Sequence, residues 1–256
     1  TEMKIRTLIL AGIVMLLASC GKNTAPVEPA ESSSTLKSVK SAAMTFTYNF
    51  DLSQEEWNGG FADCPVDNDF YDLVFSWKRA PGKLGGQYGK SLYISGNNHS
   101  DDLFMFVKKQ VTGLTPNTTY QLNFNFDIIN DIPEGLFGIG GSPGESVFMK
   151  FGAVNYEPMA VLNETQTAWL MNIDKGNQSI SGTDMLNIGN VANPNVDINR
   201  PKYAVKNFDS YTIGFNFQIT TDADGSAWII IGTDSGFEGT TEVYYDNVTV
   251  IFDEVL

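Results

Sequence analysis

The sequence is poor in the side chains that bind transition metals or serve as nucleophile and base. Its 256 residues contain two cysteines and one histidine. A structural zinc site needs four ligands drawn mainly from these residue types, so we do not expect zinc as a cofactor. Cys20 lies in an N-terminal export segment, which leaves Cys64 without a second cysteine. We therefore expect no intrachain disulfide and a buried, unreactive Cys64 thiol.

Basic residues are also scarce. Lysine and arginine number 16 against 30 aspartates and glutamates, which gives a formal net charge of −14. A chain of this charge repels phosphate backbones and anionic lipid surfaces, so nucleic acid is excluded as a partner. The same excess of carboxylates suits calcium, which prefers oxygen ligands.

Long apolar runs are confined to the N-terminus. Ile9 to Leu17 is almost wholly apolar, follows Lys4 and Arg6, and is too short to span a bilayer. It ends in Leu17-Ala18-Ser19-Cys20, which resembles the lipobox of bacterial lipoproteins. The resemblance implies that residues 1–20 form a signal peptide and that Cys20 carries the lipid anchor. Lys22, where an acidic residue would favour the inner membrane, indicates an outer-membrane lipoprotein facing the periplasm or the exterior.

Residues 21–43 are rich in proline and serine and predict a disordered tether. Residues 44–256 predict a single domain in which apolar and polar residues alternate, as in Thr45–Phe50, Gln121–Ile128 and Tyr211–Ile219. No long amphipathic helix is evident. Many strands with polar loops predict an all-β fold, an antiparallel β-sandwich of the jelly-roll type.

Three segments resemble those of carbohydrate-binding modules and galactose-binding-like sandwiches. They are the opening Asn49-Phe50-Asp51, the central segment from Val111 to Tyr120, and the closing Tyr245-Asp246-Asn247-Val248. The segments between them are similar to a group of secreted bacterial proteins without an assigned function. The resemblance covers most of residues 44–252 and implies glycan binding without catalysis.

The resemblance also implies a structural calcium ion that joins the first and last strands. Its ligands would be Asp51 and Asp246, completed by backbone carbonyls to an oxygen shell. The acidic loop from Asp63 to Asp69 is a second candidate for such a site.

Tryptophans are the side chains that stack best on sugar rings. Trp57 and Trp77 lie near loops rich in glycine and aspartate, so we expect them to be exposed and to contact a ligand. Trp169 and Trp228 lie in strands and are expected in the core.

Signals for an enzyme are present but incomplete. Gly140 to Gly144 match the G-x-S-x-G pattern of a nucleophile elbow, yet Pro143 lacks the N–H that its oxyanion hole requires. His99 precedes Asp101 and Asp102 in a segment typical of a polar loop, although a base or a single metal ligand stays open. A glycosidase would need two facing carboxylates, and the available residues are Glu134, Glu145, Glu157, Glu164 and Asp174.

The sequence therefore favours a lipid-anchored, non-catalytic envelope protein that binds a glycan or another surface component through a calcium-stabilised sandwich. A polysaccharide hydrolase with a loop carboxylate pair around Asp131–Glu145 and Asp174 is the alternative. A purely structural or adhesive surface protein is the third hypothesis.

Overall fold

Antiparallel strands make up most of the structure, a computed structural model that describes residues 42–100 and 102–255. In chain order the strands are β1 (Met44–Tyr48), β2 (Asn58–Ala62), β3 (Cys64–Pro65), β4 (Val74–Arg79), β5 (Lys90–Asn97), β6 (Leu103–Val111), β7 (Thr119–Asn130), β8 (Val147–Val154), β9 (Ala160–Leu162), β10 (Ala168–Met171), β11 (Gly176–Asn177), β12 (Ile180–Ser181), β13 (Met185–Asn190), β14 (Ala204–Asp209), β15 (Gln218–Thr220), β16 (Ala227–Ser235) and β17 (Thr240–Glu254). Helical structure in the described residues comprises the 3₁₀ turns Asp69–Tyr71 and Gly82–Gly86 and one α-helical turn, α1 (Ser210–Ile213).

Two antiparallel sheets face each other. The first has the order β14-β7-β17-β5-β4, with β1 also beside β17 and β15 also beside β7; the second has the order β13-β8-β16-β6-β2. Successive long strands alternate between the sheets, because β5, β7 and β17 belong to the first and β6, β8 and β16 to the second. This arrangement confirms the predicted antiparallel jelly-roll sandwich. The first and last strands are neighbours, with Phe46 opposite Val250.

Aromatic side chains fill the space between the two sheets. Phe124 of β7 and Phe151 of β8 stack with ring centroids 4.1 Å apart, and both are buried. Phe126, two residues along β7, stacks on Phe208 of β14. The period of two places these rings on one face of each sheet and their polar neighbours on the other.

The outer faces of the two sheets differ. The outer face of the five-stranded sheet is covered by the small sheet β3-β10-β9 and the hairpin β11-β12, and Phe104, Phe106 and Ile230 pack in a second apolar cluster there. The outer face of the seven-stranded sheet bears side chains such as Asn125 and Asn207, which are accessible to solvent. A ligand can therefore approach that sheet directly.

The strand predicted over Tyr211–Ile219 is wrong for its first half. Asp209 accepts hydrogen bonds from the backbone N–H groups of Tyr211 and Thr212, which starts the helical turn α1. Gly214 then ends the turn in the left-handed conformation, with φ at 67°. A local N-cap and a glycine thus override the alternating pattern, and the strand begins only at Gln218.

The predicted signal peptide, the anchor at Cys20 and most of the tether lie outside the described residues. Within the residues that are described, no helix is long and apolar enough to cross a membrane. Cys64 is buried and free, and its burial raises the pKa of its thiol.

Candidate functional site

A cluster of tyrosines lies on the outer face of the seven-stranded sheet. Tyr93 of β5 and Tyr244 of β17 are directly paired across the two strands, with ring centroids 4.8 Å apart. Tyr203, just before β14, meets the ring of Tyr244 edge to face at 6.1 Å. The Nζ of Lys78 lies 3.1 Å from the centroid of the Tyr93 ring, a cation–π contact that closes one side of the cluster.

One carboxylate holds two of these tyrosines. Glu242 accepts a hydrogen bond of 2.5 Å from the Tyr93 hydroxyl and one of 3.2 Å from the Tyr203 hydroxyl. Burial, reinforced by this carboxylate, raises the pKa of Tyr93 to about 12 and raises that of Tyr203 as well. Both phenols therefore stay neutral and fixed in orientation at any physiological pH.

A cleft opens beside this cluster. Its volume is about 560 Å³, and it lies between the 3₁₀ turn Gly82–Gly86 and the segment that leads into β14. Tyr203, Leu84 and Pro201 give it an apolar wall, while Asp131, Lys83 and Lys202 supply charged groups. The size falls within the range of small-molecule sites, and the mixture of rings and polar groups can orient a ligand.

Polar side chains continue from the cleft along the same face. The amide of Asn207 donates to the carboxylate of Asp127 at 2.8 Å and to the side-chain oxygen of Asn125 at 3.0 Å. The amide of Asn247 donates to the other oxygen of Asp127 at 2.9 Å. Asp127 pairs with Asp246 in the ladder between β7 and β17. Two residues further along β7, Ile129 pairs with Tyr244. The amide row therefore lies on the same face of the sheet as the cleft, and the buried Ile129 and Tyr244 lie between them.

The two predicted calcium ligands, Asp51 and Asp246, influence each other electrostatically beside this row. Asp246 is 1% exposed and accepts hydrogen bonds from the Ser91 hydroxyl at 2.6 Å and from the Asn247 N–H at 2.8 Å. Burial raises the pKa of Asp246 to about 7, and the charges of Asp51 and Asp127 add to the shift. A cation would relieve this accumulation of negative charge, and calcium binding by Asp51 and Asp246 stays a prediction.

A separate group of closely spaced carboxylates lies on the other sheet of the sandwich. Oxygens of Asp63, Asp102 and Asp234 come within 4.8 Å of one another beneath the cover of the five-stranded sheet. Two lysines occupy this cluster: Lys175 contacts Asp63 at 2.7 Å, and Lys150 contacts Asp234 at 3.1 Å. Asp63, which began the second predicted calcium loop, is thus turned towards a lysine.

The expected exposure of Trp57 is wrong. Its ring is fully buried and meets the rings of Tyr48 and Phe50 edge to face, because the loop after β1 folds back over the core. Trp77 is half-buried; its indole N–H donates to the Phe50 carbonyl at 2.7 Å, and the Nζ of Lys90 lies 3.7 Å from its ring centroid. A ligand contact at Trp77 stays a prediction.

Trp169 and Trp228 are half-buried rather than fully enclosed. Trp228 lines a second cavity of about 410 Å³ together with Tyr48 and Lys109. Lys109 is held there by an ion pair of 2.6 Å with Glu56, so its charge is already neutralised.

The side chains considered as candidate catalytic groups make hydrogen bonds within their own loops and turns. The Ser142 hydroxyl bonds to the Glu145 carboxylate and accepts from the Gly144 N–H, so it is engaged within its own turn. His99 is exposed and shares a 2.8 Å hydrogen bond with the Asn97 side chain. Asp174 accepts hydrogen bonds from the backbone of Thr183 and Gly176, which lower its pKa.

Two further carboxyl groups considered for hydrolysis, Asp131 and Glu145, have pKa values shifted in opposite directions. Burial raises the pKa of Asp131, and the charge of Glu242 adds to it. In Glu145 the hydrogen bonds from Ser142 and from the Gly135 N–H outweigh burial and lower the pKa. The carboxyl group with the raised pKa, Asp131, lies in the wall of the cleft.

Comparison with known proteins yields likenesses of fold only. No protein-family profile and no curated protein matches the sequence. Among solved structures, a carbohydrate-binding module that recognises mannan is 13% identical, with a TM-score of 0.35 over 83% of this chain and 99% of that one. The K1 cleaved adhesin domain of Lys-gingipain from Porphyromonas gingivalis is 11% identical, with a TM-score of 0.34 over 81% of this chain and 97% of that one.

The enzymatically active domain of tailspike protein 4 from bacteriophage CBA120 is 12% identical, with a TM-score of 0.33. That match covers 78% of this chain but spans 19% of the tailspike chain. Likenesses of this size assign neither a family nor a ligand.

The sequence did carry signals for two features that the sequence analysis did not identify, the tyrosine cluster and the buried pair of Lys150 and Asp234. Tyr244 and Tyr245 are adjacent in a strand, so they face opposite sides and one of them lies on the outer face. Lys150 is a charged residue within an otherwise apolar strand. A lysine in such a position is rarely buried without a partner of opposite charge. Neither signal identifies the partner, because Tyr93 and Tyr203 are far from Tyr244 in the sequence and Asp234 is far from Lys150.

Proposed function

We propose that this chain is a non-catalytic glycan-binding protein and that its ligand binds at the tyrosine cleft. The observation that carries the proposal is the half-buried ring of Tyr203, fixed by Glu242 at the wall of an open cleft. A ring held in place loses little conformational freedom when a ligand binds, so its contact energy is retained.

The chemistry of the cleft suits a sugar. A pyranose ring has apolar C–H faces and a rim of hydroxyl groups, and an aromatic side chain offers a matching flat apolar face. Asp131 accepts hydrogen bonds from hydroxyls, while Lys83 and Lys202 donate to them. The amide row around Asn125 and Asn207 lies on the same sheet face and offers further polar groups, which would suit an oligosaccharide that reaches beyond the cleft.

Calcium is proposed as the structural cofactor, bound by Asp51 and Asp246 near the junction of the first and last strands. The support is chemical: within the described ion pairs no lysine or arginine neutralises these carboxylates, and a divalent cation would. Backbone carbonyls would complete its oxygen shell.

The anchor at Cys20 and the location at the outer membrane are proposed from the lipobox-like sequence alone. The tether would then hold the sandwich away from the lipid, with the open sheet face free to meet a polysaccharide.

Hydrolysis is the second candidate function, and one observation favours it. Asp131 has a raised pKa and lies in the cleft beside Glu242, as an acid and its partner carboxylate would. Against this function, both oxygens of Glu242 already accept tyrosine hydroxyls, which lowers its capacity as a base or nucleophile.

The test is a screen of the purified protein against an array of polysaccharides, followed by titration of any ligand found. The Tyr203→Ala variant should weaken binding at least tenfold, whereas Tyr211→Ala, which removes an exposed tyrosine from α1, should leave it unchanged. Equal loss in both variants, or binding that survives Tyr203→Ala, contradicts the proposed site. Release of reducing ends that stops in Asp131→Asn would establish the hydrolase instead.

A further inference from the structure

A buried group of charged side chains joins the two central strands of the five-stranded sheet. Lys150 on β8 and Asp234 on β16 have side chains with no solvent exposure, and their charged atoms are 3.1 Å apart. They are diagonal neighbours in the ladder, since Lys150 is opposite Gly232 and Asp234 is opposite Phe148. Burying such a pair removes the hydration of both ions, which makes the ionic state costly.

The surrounding atoms hold the lysine against the carboxyl group. The Nζ of Lys150 donates to the backbone carbonyls of Lys175 at 2.7 Å and Ile180 at 2.9 Å, both in the segment that covers this sheet. Phe104 and Ile230 form the apolar cluster beside it. Burial lowers the pKa of Lys150, while the charge of Asp234 opposes this shift, so the proton is held less firmly than on an exposed lysine and the nucleophilic amine is easier to form.

One oxygen of Asp234 is surrounded by hydrogen-bond donors. Its Oδ2 accepts from the Nζ of Lys175 at 2.8 Å and from the Gln178 backbone N–H at 2.9 Å. Burial alone would lower the pKa of Lys175, but the charges of Asp234 and Asp63 outweigh it and raise that pKa. Lys175 is thus a permanent cation, and with the N–H it can stabilise negative charge that develops on Oδ2.

The other oxygen of Asp234, Oδ1, has no hydrogen-bond partner among the described residues. The carboxyl group of Asp102 is close by, since one of its oxygens lies within 4.8 Å of an oxygen of Asp234. Burial raises the pKa of Asp102 to about 7, and the charges of Asp63 and Asp234 contribute. A protonated Asp102 can therefore give and take a proton beside Asp234.

We propose that the Nζ of Lys150 and the Cγ of Asp234 condense into an intramolecular amide bond with loss of one water. One proton first passes from the Lys150 ammonium to the Asp234 carboxylate, which leaves an amine and a carboxylic acid. The nitrogen lone pair then forms the N–Cγ bond, and the carbonyl electrons move onto Oδ2. Asp102 protonates the departing Oδ1 hydroxyl and takes the surplus proton from the nitrogen. The Cγ–Oδ1 bond breaks, its electron pair leaves with water, and the amide remains.

The released water has a route out. Asp102 and Asp63 line a cavity of about 360 Å³, with Cys64 and Tyr71 among its other walls. The product would be a covalent bond between β8 and β16, a cross-link that needs no oxidant. It also replaces two buried charges by a neutral amide, which removes the cost of keeping both ions out of water.

The test is mass spectrometry of the folded full chain. The intact mass should be one water below that of the sequence between its observed termini, and a digest should contain a branched peptide that joins Lys150 to Asp234. Full mass with an unmodified Lys150 peptide overturns the proposal. So does a branch that joins Lys175 to Asp234, because it identifies the other amine as the nucleophile.

Variants separate this cross-link from other losses of water. Lys150→Met should restore the full mass, and Lys175→Met should still form the Lys150–Asp234 branch, more slowly. The sequence Asp224-Gly225 can lose water as a succinimide, so a deficit that persists in Lys150→Met contradicts the proposal. The wild-type digest decides the question even if either variant fails to fold.

Discussion

The Glu242 carboxylate accepts a 2.5 Å hydrogen bond from the hydroxyl of Tyr93 on the open face of the seven-stranded sheet. The two residues lie on neighbouring strands: Tyr93 pairs with Tyr244, and Glu242 pairs with Ser95. Glu242 also bonds to Tyr203, which comes from the segment before β14. One carboxylate therefore links three parts of the chain and fixes the wall of the cleft.

Replacing this carboxylate should change the titration of the tyrosines. In Glu242→Gln the negative charge is gone, so the pKa of Tyr93 should fall from about 12 towards its ordinary value, and that of Tyr203 should fall as well. Ultraviolet titration of the phenolates measures this. The exposed Glu164→Gln serves as the control and should leave the curve unchanged. An identical curve for Glu242→Gln would show that Glu242 does not act on these phenols.

Asp246 should make the calcium-free protein less stable as the pH rises. Its pKa is about 7 in the folded state against an ordinary value of 3.8, so between these values the folded state holds a proton that the unfolded state has lost. The stabilisation that this proton provides is present at pH 3.8 and below, and it is lost as the pH rises from there to about 7.

The measurement is the free energy of unfolding by urea, with chelator, across that pH range. In Asp246→Asn the free energy of unfolding should fall less as the pH rises. Asp102, whose pKa is also about 7, contributes another part of the fall and should still do so in this variant. Because other carboxylates titrate in the opposite sense, the decisive quantity is the difference between the two proteins. The same pH dependence of stability in the wild type and in Asp246→Asn would contradict the raised pKa of Asp246.

Calcium should raise the melting temperature of the wild-type protein, since an ion that binds only the folded state stabilises it by mass action. A calcium concentration of about 100 times the dissociation constant corresponds to about 2.7 kcal/mol. Asp246→Ala and Asp51→Ala should abolish the rise, and Asp222→Ala should retain it. Equal melting curves for the wild type in calcium and in chelator would remove the calcium proposal.

The stacked pair Phe124 and Phe151 should dominate the stability of the core. Phe151→Ala should cost about 3–5 kcal/mol, because it removes a buried ring and leaves a cavity between the sheets. Phe137 is 98% exposed, so Phe137→Ala should change stability by less than about 0.5 kcal/mol. Urea unfolding of both variants checks this, and similar losses in the two would place the core elsewhere.

The strands that alternate regularly were predictable from the sequence, because a period of two with one buried face leaves a clear pattern. β7 follows it and was expected over Gln121–Ile128, whereas β17 contains a register shift between Asp246 and Thr249. The segment from Tyr211 failed because its pattern was overridden by a cap at Asp209 and a glycine at position 214. The small strands β9, β11 and β12 are two or three residues long, too short to carry a period.

The candidate site was only partly predictable. Asp51 and Asp246 were identified through a resemblance, and their role as calcium ligands stays a prediction, although the charge of Asp51 does act on Asp246. Trp57 was misjudged because a glycine-rich neighbourhood does not reveal that a loop folds back onto the core. Tyr203 and Glu242 meet across a gap of 39 residues, so only the three-dimensional pairing of β14, β7 and β17 brings them together.

The most direct test of the account is hydrogen–deuterium exchange of the protein with and without a polysaccharide that it binds. The account predicts slower exchange in residues 81–84 and 201–203, the two sides of the tyrosine cleft. Protection confined to the second cavity around Tyr48 and Trp228, with none at the tyrosine cleft, would contradict it.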